Sequence, residues 1–155
     1  MEFHVRSARL TDVDTAMRIL MRDADASSEQ RGDADRLRSL LFLPSATVIV
    51  AEAERRIVGV GVLSIRPTVR SGPFVGVIDE LGLEGTAGRA TRSARADATG
   101  RTEIGGSLLE HLISSARNKG CARVDVTDPL AAAEPALLKS AGFERRGALL
   151  SRAIG

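Results

Sequence analysis

The stretch GRTEIGGSLLEHLISSARNKGCARVDVT, Gly100–Thr127, decides how this chain folds. Ile104, Leu108, Leu112 and Ala116, with Leu109 and Ile113, recur at helical spacing and make one apolar face. NKG closes the helix with a glycine after a basic residue, and CARVDVT reads as a strand. At the front, Thr102 fits an N-cap and Glu103 the first turn, where the helix dipole favours an acid. Neither explains Gly105 and Gly106, each of which costs about 1 kcal/mol inside a helix relative to alanine. Two glycines in a first turn suggest a close approach to the backbone. A helix start with bare amides is an anion site. The expectation is a phosphate pocket at Ile104–Ser107.

Upstream, FVGVIDELGLE, Phe74–Glu84, reads as a strand. The strand–helix–strand unit therefore implies a parallel pair with a right-handed crossover. Between strand and helix, GTAGRATRSARADATG, residues 85–100, has small residues and no apolar periodicity. It reads as a long loop carrying Arg89, Arg92 and Arg95. These arginines could reach phosphates, an acidic acceptor or nucleic acid.

The rest alternates in kind. FHVRSAR is a strand. Thr11 fits an N-cap with Asp14 in the capping-box position, opening a helix to about Asp23. Residues 23–35 read as a polar loop and RLRSLLFL as a short helix. ATVIVAEAE and IVGVGVLSI form a hairpin around Arg55-Arg56. Downstream, Pro129 breaks the CARVDVT strand, EPALLKSAG is a last helix closed by Gly142, and FERRGALLSRAI is a final strand. The order predicts α/β (α+β) architecture: one domain over residues 1–155, with a mixed twisted sheet of about six strands flanked by four helices.

Composition narrows the function classes. The chain has 155 residues, 43% hydrophobic and 27% charged, as in an ordinary globular domain. Net charge is +2, from 22 basic and 20 acidic residues, too small to imply nucleic acid. Lysine occurs only at Lys119 and Lys139; the other cations are arginine. One cysteine permits no internal disulfide, and two histidines give no zinc spacing. No apolar run approaches a membrane span and the N-terminus lacks the core of a secretory signal, so the chain reads as cytoplasmic. Tyrosine and tryptophan are absent. GVGV lies mid-strand and opens no helix, so it is no dinucleotide fingerprint. His111 reads as a surface residue and Cys121 as an inert thiol.

The element order, the IDELGL strand, the glycines opening the third helix, LLEHLISSARNKGCARVDVT and the late LLKSAGF together resemble a GNAT-type N-acetyltransferase. The resemblance covers nearly the whole chain. It implies acetyl-coenzyme A as co-substrate and a primary amine on a small molecule or protein as acceptor. It places the pantetheine arm along Leu81, Gly82 and Leu83. It places the diphosphate on Arg101, Thr102, Glu103, Ile104, Gly105, Gly106 and Ser107.

The departures matter. In the family's Arg/Gln-x-x-Gly-x-Gly/Ala loop, the leading basic position falls on Gly100 and the penultimate glycine on Glu103. A carboxylate about 5 Å from a diphosphate, at an effective dielectric near 20, is repelled by roughly 3 kcal/mol. Glu103 turned to solvent, with Arg101 supplying the charge, would repair this. The family's tyrosine position falls on Leu138 and its asparagine near Ala131; Ser140 reads as a local cap.

Glu80 is the candidate general base, beside Asp79; strand alternation would let only one of the two face the cleft. A backbone amide at Leu81 or Leu83 would hold the oxyanion. The alternative is a catalytically impaired GNAT-fold binding or regulatory module. A short or missing final strand would leave a sheet edge that a second copy could complete as a homodimer.

Overall fold

The computed structural model describes residues 2–21, 28–84 and 93–155. Five strands form one sheet in sequence order: β1 (His4–Ser7), β2 (Ala46–Ala53), β3 (Arg56–Pro67), β4 (Phe74–Leu83) and β5 (Cys121–Val126). Neighbours are antiparallel except β4 and β5, which run parallel, as the strand–helix–strand pattern predicts. The helices are α1 (Val13–Leu20), α2 (Ser28–Leu40), α3 (Ser93–Asn118), α4 (Asp128–Ala133) and α5 (Pro135–Ser140), with a 3-10 turn at Leu10–Asp12 before α1. The fold is thus the expected mixed α+β class.

Strand alternation divides the core in two. Val48, Val50, Val60 and Val62 meet Val13 and Ala16 of α1 and Leu37 of α2. On the other face Leu63, Ile78 and Leu83 meet Ile104, Leu108, Leu109, Leu112 and Ala116 of α3. α3 lies close because β3 carries glycine beneath it. A Cβ on Gly59 would come within 2.8 Å of Leu108, and one on Gly61 within 2.9 Å of Leu112. The GVGV run is therefore a packing device.

Several boundaries differ from the sequence expectation. The hairpin turns at Glu54-Arg55, not Arg55-Arg56; both residues have positive φ (49° and 63°), the type I′ geometry that matches strand twist. Asp12, not Thr11 with Asp14, caps the first helical segment: its carboxylate accepts the Arg9 amide at 2.7 Å. Helix α2 begins at Ser28, inside the stretch read as loop. Pairs Asp33–Arg36 and Asp35–Arg38 at i,i+3 support it, and Leu37 anchors it.

β5 ends at Val126, ahead of Pro129 as expected, and Pro129 then lies in the first turn of α4, which needs no amide from it. The last helical region is thereby split in two. Residues 143–155 form no strand, so among the described residues the sheet has five strands rather than about six. The largest difference is α3, which begins at Ser93, well before Thr102. Its first turns are rich in Ala and Arg, which favour helix without an apolar stripe. The expected 85–100 loop is helical from Ser93 on; Arg89 and Arg92 lie outside the described residues.

Candidate functional site

Two strands that start as neighbours and then part make the site. β4 and β5 pair from Phe74↔Cys121 to Ile78↔Val126. The last links are Thr127 N–H to the Ile78 carbonyl (3.3 Å) and Thr127 Oγ1 to the Asp79 carbonyl (3.4 Å). The chain then turns into α4, while β4 continues through Glu80–Leu83 with, among the described residues, β3 as its one strand neighbour. Peptide groups alternate direction along a strand. The Glu84 amide donates to Val58 of β3 at 2.9 Å. By alternation the Leu81 and Leu83 amides face the opened side.

A bulge sits where the strands part. Leu63 pairs with Ile78 and Val62 with Glu80, so Asp79 is the extra residue on β4. This overturns the expectation that only one acid faces the cleft. Ser64 Oγ donates to the Asp79 carboxylate, and Glu80 stands opposite Val62. Ser64 and Val62 share one face of β3, so both acids lie on the α1/α2 face.

Asp79 is half-buried and engaged by Ser64; Glu80 has an exposed edge and no hydrogen-bond partner among the described residues. The Glu80 carboxyl is held above its ordinary pKa, first by desolvation among its neighbours, then by the charges of Asp79 and of Asp33 on α2. Sequence reading missed Asp33, which it assigned to a loop, and missed Ser64 and Thr127, whose parts arise only from strand pairing.

The α3 side is built differently. Because α3 starts at Ser93, the amides of Ile104–Ser107 lie inside the helix, where each bonds the carbonyl four residues earlier. The pocket of bare amides expected there is not formed. Ile104 is buried against Gly59, and Glu103 is exposed. Gly105 is buried under α5: a Cβ there would lie 2.6 Å from Leu137 and 3.1 Å from Leu83. Gly106 has open space around its Cβ position. The Ser107 carbonyl accepts His111 Nδ1–H at 2.8 Å, a local helix contact.

Arg101 pairs with Glu134 at 2.7 Å. Leu83, Arg101, Thr102, Glu134 and Leu137 line a cleft of about 170 Å3. Leu138, at the family's tyrosine position, is buried, and Ser140 Oγ bonds the Ala136 carbonyl at 3.0 Å as a local helix contact. Burial raises the Cys121 thiol's pKa.

No protein-family model matches the sequence, and no curated protein does. Solved structures do. A transcriptional regulator from Bacillus halodurans C-125 aligns over 99% of this chain and all of its own, at TM-score 0.73 and 18% identity. Glucosamine-6-phosphate N-acetyltransferase from Arabidopsis thaliana aligns over the whole of both chains, at TM-score 0.71 and 16% identity. An aminoglycoside N-acetyltransferase in complex with CoA covers 99% of this chain and 95% of its own, at TM-score 0.69 and 15% identity. The fold is that of the GNAT-type N-acetyltransferases, in a divergent sequence. Among the described residues no helix is long and apolar enough to cross a membrane.

Proposed function

We propose that this chain is an N-acetyltransferase that moves an acetyl group from acetyl-coenzyme A to a primary amine. The observation that carries the reading is the parting of β4 from β5 at a bulge with two acids. It leaves two amides, Leu81 and Leu83, along an open strand edge. A pantetheine arm has amide groups that can pair with such an edge as an added strand does. Leu81, Gly82 and Leu83 would hold it.

In this reading Glu80 takes the proton from the ammonium of the acceptor; its raised pKa brings it nearer to the working range of a general base. The free amine attacks the thioester carbonyl. The Leu81 or Leu83 amide stabilises the oxyanion. The C–S bond then breaks, the nitrogen of the new amide gives up its second proton to solvent, and the thiolate takes a proton from solvent, since the chain has no tyrosine to supply it. Asp79, fixed by Ser64, keeps the site anionic and favours a cationic acceptor.

The diphosphate falls to Arg101 and Thr102, because the amides of Ile104, Gly105, Gly106 and Ser107 are engaged in the helix and Glu103 points to solvent. Arg101 must then exchange Glu134 for phosphate, and the cleft of about 170 Å3 must widen by moving α5.

A second reading has its own support. The Arg101–Glu134 pair and the packing of Leu137 on Gly105 close the α3–α5 side, and Leu138 stands where the family has its acid. A binding or regulatory module on this fold is consistent with these features. Calorimetry with acetyl-coenzyme A, then thiol release with a panel of amines, separates the two. Binding with release supports the transferase. Binding without release under every amine supports the module, and no binding defeats the transferase.

A further inference from the structure

At the end of the sheet opposite the opened half of β4, three segments meet. β2 begins at Ala46, near Ser64 of β3, and the Ile65 amide bonds the Ser45 carbonyl at 2.7 Å. Pro67 of β3 faces Phe74 of β4, which faces Cys121 of β5 just after α3 ends at Asn118. Residues 41–46, 66–74 and 117–123 are thereby brought to one end. Between them they hold the cations Arg66, Arg70, Arg117, Lys119 and Arg123, and no acid. Arg66, Arg70 and Arg117 are exposed and have no ion-pair partner among the described residues. Arg123 is shared between Asp125 (3.0 Å) and the Ser71 hydroxyl (2.7 Å).

Three large apolar side chains stand out of the same end. Phe42 is 72% exposed, Leu43 48% and Val69 99%. Their backbone is held. The Phe42 amide bonds the Ser39 carbonyl at 3.2 Å and the Ala46 amide the Leu43 carbonyl at 3.1 Å. Lys119 Nζ donates to the Pro44 carbonyl (3.1 Å) and to Thr47 Oγ1 (3.0 Å), tying this turn to the end of α3. In the β3–β4 turn the Thr68 amide bonds the Pro73 carbonyl at 3.1 Å, and Thr68 Oγ1 donates to the Gly72 carbonyl at 2.7 Å. Two fixed turns therefore hold apolar side chains in water, rimmed by cations, as interaction surfaces do.

We infer that this end docks on an anionic lipid bilayer. Cations without intervening acids match its negative surface. Phenylalanine, leucine and valine on the turns can enter the boundary between headgroups and acyl chains. A nucleic acid would use the same arginines but gains little from Leu43 and Val69, which have no ring to stack on a base. Leu81 and Leu83 lie about 23–30 Å along β4 from Phe74, so lipid at one end leaves their amides clear.

Flotation of the full chain tests this, with vesicles of phosphatidylcholine alone and of an equal mixture with phosphatidylglycerol. The chain should float with the anionic vesicles, stay behind with the neutral ones, and be released as salt rises. Arg66→Glu combined with Arg70→Glu should weaken partition at least twentyfold, since each basic side chain near such a surface contributes about fivefold. Phe42→Ser combined with Val69→Ser should weaken it at least tenfold through lost apolar burial. All four side chains are exposed, so the thermal midpoint in the absence of lipid should match wild type.

Three results would overturn the inference. One is no flotation with anionic vesicles at low salt. Another is flotation that the charge reversals leave unchanged, meaning the contact lies elsewhere. The third is flotation lost on charge reversal but kept by Phe42→Ser with Val69→Ser, meaning adsorption by charge alone; duplex DNA bound more tightly than vesicles would then mark a nucleic-acid contact.

Discussion

Asp12 and Glu52 share the guanidinium of Arg6, at 2.7 and 2.8 Å, whereas among the described residues Asp79 and Glu80 on β4 have only the hydroxyl of Ser64 between them. The first pair ties β1, β2 and the start of α1 together. Arg6 pulls both carboxyls below their ordinary pKa, through its hydrogen bonds first. The second pair lies on a bulge at an opened strand edge, and Glu80 is pushed the other way. Acids that hold a fold are given a cation; acids left without one are available for proton transfer.

The largest effect that tests this contrast is on turnover. Glu80→Gln should lower acetyl transfer by a hundredfold or more, roughly the value of a positioned general base. The wild-type rate at fixed amine should rise with pH through the raised Glu80 pKa, and the variant should lose that limb. An unchanged rate would remove Glu80 as base. Stability should respond in the opposite sense. A carboxyl raised on folding contributes stability below its unfolded pKa and loses it as pH rises through the folded value. Glu80→Gln should therefore raise the midpoint of denaturation at neutral pH.

Next comes Asp12→Ala, which leaves the Arg9 amide uncapped and half of Arg6 unpaired. A loss of about 3 kcal/mol in chemical denaturation is expected. Because the Asp12 pKa is lowered on folding, its contribution is present above the unfolded carboxylate value and vanishes as pH falls through the folded one. Wild type and variant should converge in acid; a constant gap would mean that packing, not charge, carries the effect.

Smaller effects probe the closed α3–α5 side. Gly105→Ala drives a methyl into Leu137 and should cost about 1–3 kcal/mol, as overpacking does. Gly106→Ala meets open space and should gain up to about 1 kcal/mol from helix propensity. Thermal melts of both decide whether α5 packs on Gly105. Glu134→Ala removes a partly exposed ion pair and should cost under about 1 kcal/mol. If Arg101 is the phosphate ligand, this variant should bind acetyl-coenzyme A several-fold tighter by calorimetry.

The contrast also explains what could be read from the sequence. The β-branched runs ATVIVAEAE and IVGVGVLSI gave the hairpin, and the stripe from Ile104 to Ala116 gave the parallel unit, because burial selects apolar residues and, on a helix, spaces them. The front of α3 left no such trace: Ser93–Gly100 is held by propensity without a stripe, so Gly105 read as a first turn when it is a packing contact. Glu80 and Asp79 were read as neighbouring acids on a strand, and both lie on β4. Their shared face depends on one unpaired residue in the β3 register, and Asp33 comes from a distant helix; neither is local information. The apolar residues of FERRGALLSRAI suggested a strand, but residues 143–155 pair with no strand, and the β5 edge stays open among the described residues.

The central claim is that the opened half of β4 receives the thioester arm. Amide hydrogen exchange, followed residue by residue during titration with acetyl-coenzyme A, tests it most directly. The account predicts new protection at Leu81 and Leu83, with little change at Gly82, whose amide already faces β3. Saturable binding that leaves Leu81 and Leu83 exchanging as before would contradict it.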